Sequence, residues 1–404
     1  MQRRKFLYES GLIAGGFFLH KNLFAENLTD TYNRPLQVGV IGCGDRGKGL
    51  ISVMGELKDL FKVVAICDTL DFRIQEAMTS KLDPSVKTYK DFRGLIDDKN
   101  VQAVVIATPL YLHYPMAVAT LDAGKHLFLE KTMTFTSDEA LSLHKKSKQH
   151  ANLVLQVGHQ YRYTPLYLRV KEMISKNYLG DVTQIDCRWD RNHNWRRSVP
   201  DPSLERLINW RMYREYSGGL VAELLSHQID FINWAFDTHP DRITATGGID
   251  HFNDGRETFD NVQAVLRYDK NGMIGNFGAT CANAREGYIF KIKGNKGSVH
   301  LLVNEGTYFP EPETRKQLET VDGVTGATKI EWNKDGGIPI MKEKPKDGTW
   351  YALKEFYDAV HQKKQPLSNV STGATTALCV HLANISLYNR TIEHWKPEYN
   401  SVNS

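Results

Sequence analysis

The chain has 404 residues, 41% of them hydrophobic, and its 51 Lys and Arg against 47 Asp and Glu leave a formal charge of +4. That length predicts two or three domains with sizeable cores, which excludes a disordered chain. The charge is thin and unclustered, without the basic block of a nucleic-acid-binding protein.

At the N-terminus, Arg3-Arg4-Lys5-Phe6-Leu7 precedes the apolar segment Gly11 to Leu19. This charged-then-apolar order is that of an export signal, and the paired arginines point to the twin-arginine type. Gly11 to Leu19 is the longest apolar stretch, short of the roughly 18 residues a membrane-spanning helix needs. Residues 1–30 are therefore read as signal and linker, and the protein is expected to be periplasmic or otherwise exported, and cytoplasmic if the segment is only a basic tail.

Leu36 to Ile41 has the β-branched apolar character of a buried parallel strand and runs into Gly42-Cys43-Gly44-Asp45-Arg46-Gly47, which opens a helical pattern. Gly42 permits a tight turn, Gly44 lets a pyrophosphate approach the backbone, and Gly47 lets helix and strand pack closely. The helix N-terminus offers free N–H groups to the phosphates, with Asp45 and Arg46 in the same loop. A second strand, Phe61 to Cys67, ends in Asp68, about twenty residues beyond the last glycine, where a carboxylate accepts hydrogen bonds from ribose hydroxyls. Asp68 predicts NAD rather than NADP, a preference that Arg46 and Arg73 soften.

Val101 to Ala107 reads as a third buried strand ending at Thr108-Pro109, and Leu127 to Leu129 as another ending at Glu130-Lys131, with a helix from Tyr114 to Ala123 between them. Strand and helix in alternation give the doubly wound Rossmann fold, whose ligands lie outside the carboxyl edges of the strands. Thr108, Pro109, His113, Glu130 and Lys131 are thus placed toward the cofactor, and His159, after Gln156-Val157-Gly158, joins them. Residues 31–158 form this α/β domain. The five cysteines show no C-x-x-C and no His-rich spacing, so they predict buried thiols rather than a disulfide framework or a metal site.

In residues 159–404 the rhythm changes to alternating runs, Val182 to Trp189, Val262 to Tyr268, Met273 to Thr280 and Ile289 to Lys293, which predict an α+β domain with a large, mostly antiparallel open sheet. Arg191 to Arg197 and Asn209 to Arg214 are dense in flat rings and forked donors, and Trp195, Arg211 and Tyr213 are read there as contacts for a polyhydroxylated ligand. Leu220 to Trp234 reads as a helix that sets Glu223 and His227 at i and i+4, so that the carboxylate orients the imidazole. Asn304 to Pro345 reads as an excursion from the sheet. Helices from Trp350 to His361 and Thr372 to Arg390 are expected to pack back on the core.

Gly42-Cys43-Gly44, Thr108-Pro109 with His113, Glu130-Lys131, Gly158 with Arg162 and Pro165, and Gly218-Gly219 before His227 and Asp230 form an ordered series. In that series the chain resembles the Gfo/Idh/MocA family, the glucose-fructose oxidoreductase and inositol dehydrogenase group, over about residues 36 to 390. The resemblance implies that Glu130-Lys131 lies beside the nicotinamide, that His227 faces the cofactor from the second domain, that Arg162 belongs with the substrate, and that the protein forms homo-oligomers. Two departures stand out: Thr132 replaces the family's usual proline, and Glu223 its usual aspartate. A cis bond before a non-proline residue costs about 3–4 kcal/mol, which favours a trans Lys131–Thr132 bond and a differently aimed lysine.

Oxidising a sugar alcohol requires a base for the hydroxyl proton and a donor for the developing alkoxide while a hydride leaves the carbon. His227 is the candidate base and Lys131 the donor, with the roles reversed if the positive nicotinamide depresses the lysine. Export together with NAD implies a tightly bound cofactor that is reset at each cycle. An NAD-dependent sugar oxidoreductase acting on a free sugar or glycoside is the first reading. The second is an NAD-dependent glycosidase working by transient oxidation, elimination and re-reduction, and the third a non-catalytic sugar or nucleotide sensor.

Overall fold

The structure is a computed structural model that describes residues 34–79, 82–321 and 331–403. The expected export signal lies outside the described residues. Among them, no helix is long and apolar enough to cross a membrane.

Six strands, β1 (Leu36–Ile41), β2 (Phe61–Cys67), β3 (Lys87–Tyr89), β4 (Ala103–Ile106), β5 (His126–Leu129) and β6 (Leu155–Val157), form a sheet in the order β3-β2-β1-β4-β5-β6. Every pairing in it is parallel. β4 is buried throughout because helices cover both faces, as its unbroken Ala-Val-Val-Ile run requires. The strand order reverses between β1 and β4, and that switch point opens a crevice at the carboxyl ends of the strands.

The second sheet has nine strands: β7 (Val182–Trp189), β8 (Arg242–Gly248), β9 (Asn261–Tyr268), β10 (Met273–Thr280), β11 (Tyr288–Gly294), β12 (Gly297–Leu301), β13 (Gly306–Pro310), β14 (Ile338–Pro339) and β15 (Ile392–His394). They run in the order β14-β13-β12-β11-β7-β10-β9-β8-β15, antiparallel except for β7 with β10. Along β9, Val262, Ala264, Leu266 and Tyr268 are buried while Asn261 and Val265 are exposed, the alternation of a sheet with one covered face. Asn304 to Pro345, expected to leave the sheet, instead supplies its edge through β13 and β14. The pattern was hidden because these strands are short and flank a helix, Pro312–Val321.

Two C-terminal helices bind the halves together. Gly348–Gln362 packs on the parallel sheet, with Phe356 edge-on to Phe128 at 5.7 Å and Tyr357 to Phe61 at 5.8 Å. Val370–Asn389 is buried on nearly all sides, which explains its apolar residues at every helical angle. All five cysteines are buried and unpaired. The Lys131–Thr132 peptide is cis rather than trans.

Candidate active site

At one end of the crevice, the glycine loop is shaped by close approach. Gly42 has φ 94°, and a Cβ there would lie 2.5 Å from Ala107 O. A Cβ on Gly47 would lie 1.8 Å from Gly42 O, so the helix Asp45–Glu56 sits against the loop only because residue 47 has no side chain. Gly44 caps that helix without a side-chain hydrogen bond, leaving its first N–H groups for a ligand. Gly47→Ala is expected to destabilise the protein by about 1–3 kcal/mol and to weaken dinucleotide binding. Thermal unfolding and NADH fluorescence titration check this against Gly49→Ala, where a Cβ would meet nothing within 4 Å.

Asp68 ends β2 inside the crevice, only 8% exposed, and accepts from Cys43 N at 2.8 Å and Leu70 N at 3.0 Å. Phe72 and Arg73 line the wall beside it. Thr108 Oγ1 is buried on the lining with no hydrogen-bond partner among the described residues, as expected of a group that meets a ligand. The cleft measures about 940 Å³, large enough for a dinucleotide and a small substrate, and its uncapped helix, glycine turn and carboxylate at the end of β2 fit an NAD-type cofactor.

His113 and Arg46 hold the middle of the cleft together. The buried His113 ring sets Nδ1 2.8 Å from Thr132 O and Nε2 3.1 Å from Thr108 O, joining the two strand-end loops. Burial lowers its pKa, so the neutral ring donates to one of these carbonyls. Arg46 donates to Glu130 Oε1 at 2.7 Å and to Thr349 Oγ1 at 3.0 Å. Asp45 pairs with Arg197 at 2.6 Å, which brings the loop after β7 across the nucleotide end. Pro109 lies on the same wall.

At the other end Lys131, Glu223 and His227 converge. The helix expected through them is a π-helix over Val221–Leu225 before it becomes α over Ser226–Phe236. The wider turn changes the register. Lys131 Nζ donates to Glu223 O at 2.9 Å and lies 3.5 Å from Ala222 O, which also accepts from Thr132 Oγ1 at 3.1 Å. The Glu223 carboxylate turns to Arg211 Nε at 2.8 Å and does not orient the imidazole as the i, i+4 spacing predicts. His227 is 6% exposed, its Nδ1 has no hydrogen-bond partner among the described residues, and its ring lies 5.2 Å from Tyr161 and 5.7 Å from Trp189.

Burial, with the positive charge of Lys131 beside it, holds the His227 pKa well below its ordinary value. Burial likewise lowers Lys131. For Glu223 burial acts upward, but Arg211 and Lys131 hold the carboxyl below the usual range.

Four expected ligand contacts lie away from the cleft lining. Arg162 is 2% exposed and forms a two-point ion pair with Asp230, 2.8 Å at each contact, so it supports the second domain instead of touching substrate. His159 is 1% exposed, with Nδ1 3.4 Å from Asp230 Oδ1 and its ring 6.3 Å from that of His227, and sits behind the cleft. Tyr213 is buried with its hydroxyl on Glu205 Oε1 at 3.1 Å. Trp195 stands beside Arg191 on the loop, half-buried. Ring and donor composition marked Trp195 and Tyr213, strand-end position His159 and the family resemblance Arg162, but for His159 and Arg162 the partner that absorbs them, Asp230, is distant in sequence. Conversely Phe72, Tyr111 and Gln160 line the cleft without having been singled out; Tyr111, just after Thr108-Pro109, carried the clearest signal.

Residues 36–159 match the oxidoreductase family described as an NAD-binding Rossmann fold, and residues 167–300 match the GFO/IDH/MocA C-terminal domain. Levoglucosan dehydrogenase of Pseudarthrobacter phenanthrenivorans is 29% identical over 232 residues, 52% of this chain and 57% of that protein. Inositol 2-dehydrogenase of Salmonella typhimurium is 27% identical over 199 residues, 49% of this chain and 54% of that protein. The chain thus spans about half the length of these curated relatives. Among solved structures, a levoglucosan dehydrogenase in complex with NADH and levoglucosan superimposes with a TM-score of 0.69 at 20% identity, over 89% of this chain and 99% of that one. An aldose-aldose oxidoreductase from Caulobacter crescentus gives 0.70 at 16% identity, over 90% and 100%. At such identities the likeness is one of fold.

Proposed function

The chain belongs to the GFO/IDH/MocA oxidoreductase family, and from that premise we propose that it oxidises a secondary hydroxyl of a sugar or glycoside with NAD. The observation that carries this reading is the convergence of Lys131 and His227 at the far end of a cleft whose near end has the glycine turn and Asp68. NAD, when bound, supplies the hydride acceptor. His227, kept neutral by burial and by Lys131, takes the hydroxyl proton. Lys131 has three N–H donors; two are directed at the carbonyls of residues 222 and 223, which leaves the third for a substrate oxygen. Glu223 is a positioning residue: it holds Arg211 in the cleft wall and, through its own carbonyl, holds Lys131.

The test is to denature the purified protein and quantify released NAD, then follow NADH formation and aglycone release on free sugars and nitrophenyl glycosides, with and without added NAD. The expected result is NADH formed from a sugar on addition of NAD, or a bound cofactor reduced in one turnover. Aglycone release without net NADH would replace this reading by the redox-neutral glycosidase, and binding without turnover by a sensor.

A further inference from the structure

His227 lines the cleft, yet its Nδ1 is buried with no hydrogen-bond partner among the described residues, so Nε2 is the ring nitrogen left to face a substrate. A neutral imidazole carries a single proton, on one nitrogen or the other. For Nε2 to accept a hydroxyl proton, the ring has to carry its own on Nδ1, and a buried N–H is costly to leave without an acceptor. The acceptor has to come from the protein behind the ring.

His159 is placed there. The helix Ser226–Phe236 carries His227 and Asp230 three residues apart, on one face, and the His159 ring packs against both side chains. Its Nδ1 lies 3.4 Å from Asp230 Oδ1, an ion-pair distance, and its ring stands edge to face with that of His227, centroids 6.3 Å apart and planes at 89°. The Asp230 carboxylate, fixed by its two bonds from Arg162, can only accept, so the proton of the neutral His159 ring sits on Nδ1. That leaves a lone pair on His159 Nε2, which is buried and has no partner among the described residues. The separation of the two rings is too long for a direct N–H···N bond and suits one bridging water, the usual partner of buried polar atoms left unpaired by the protein. Trp189, the indole beside His227, has only a donor to offer. The Tyr161 hydroxyl, also buried and unpartnered, belongs to a ring 5.2 Å from that of His227 and is a competing acceptor.

We propose that His159, oriented by Asp230, is a positioning residue for His227: through one buried water it accepts from His227 Nδ1–H and so keeps Nε2 unprotonated and able to take the substrate's hydroxyl proton. One tautomer is thereby passed inward along the series, from the Asp230 carboxylate to His159 and from His159 to His227. The inference rests on the oxidoreductase reading above and adds to it the accepting atom of the base and the group that selects it.

The test combines proton–nitrogen correlation spectra of the full chain, isotope-labelled at histidine nitrogen, with steady-state kinetics on whichever sugar the parent oxidises. The His227 signals are identified by their loss in His227→Ala. The parent is expected to show His227 protonated at Nδ1 and bare at Nε2. His159→Phe, which removes the acceptor and keeps a ring, is expected to shift His227 toward the Nε2–H tautomer and to lower kcat by about tenfold or more with KM little changed. His159→Gln offers an N–H to Asp230 and an oxygen to the water, and is expected to restore the tautomer and most of kcat. Tyr161→Phe is expected to leave the tautomer as it is. A parent protonated at Nε2, a His159→Phe variant that loses stability but keeps both tautomer and kcat, or a tautomer that responds to Tyr161→Phe and not to His159→Phe overturns the proposal. If His159→Phe does not fold, the parent spectrum and His159→Gln decide. A protein that oxidises no sugar removes the oxidoreductase reading, while the spectra still decide the tautomer.

Discussion

His227→Ala is expected to lower kcat by about 10²–10⁴-fold, the usual contribution of a positioned general base, while NADH affinity stays within a few-fold of the parent. The imidazole is at the end of the cleft away from the nucleotide-binding turn, so its removal alters proton transfer and not the phosphate and ribose contacts. Steady-state kinetics with NADH fluorescence titration separate the two effects. A variant that retains most of its kcat would assign the base to Lys131. The pH profile gives an independent reading. His227 is held well below 6.5 by burial and Lys131, so it remains neutral and able to accept a proton as the medium is acidified through 6.5. The acid limb of kcat/KM is therefore expected below the ordinary histidine range. Lys131 is also lowered, which brings the basic limb below that of a free lysine.

Asp230→Ala is expected to destabilise the protein by about 3–5 kcal/mol, because it leaves the guanidinium of Arg162 buried without its counter-charge. Both residues are 2% exposed or less, and Thr376 Oγ1 adds a third bond to the carboxylate at 2.9 Å. Urea unfolding measures the loss. Combining it with Arg162→Met is expected to restore part of it, since a buried ion pair contributes far less than the penalty for breaking it. A double variant no better than the single one would show that the carboxylate acts through other groups. Asp230 is held below the usual carboxylate range: burial opposes this, and Arg162 and His159 overcome it. Its contribution is therefore present above the unfolded pKa and is lost as pH falls through the folded one. His159, pushed down to about 4 by burial, acts in the same direction between 6.5 and 4, because the unfolded chain binds its proton first. Stability is expected to fall as pH is lowered across that interval, and His159→Phe to flatten the fall.

The nucleotide end was legible because its chemistry is local. Gly42, Gly44 and Gly47 act within one turn, and Asp68 needs only the end of the next strand to reach the crevice. Strand ends at Thr108-Pro109 and Glu130-Lys131 were equally readable, since a parallel sheet delivers every such end to one edge.

At the reacting end chemical identity was legible without geometry. Glu223 and His227 were found by spacing, yet that spacing assumed an α-helical register, and the π turn over Val221–Leu225 sends the carboxylate to Arg211. Arg162 carried the right chemistry for a ligand contact, and its partner Asp230 lies 68 residues away, a pairing only the packed helices decide.

What the sequence determined by itself is therefore the family, the parallel sheet and the dinucleotide turn, because periodicity and glycine placement act over a few residues. Which cations are neutralised inside the protein, as Arg162 is by Asp230, was decided by the tertiary structure alone, because charge pairing in a low-dielectric interior depends on neighbours the chain brings together only when it folds.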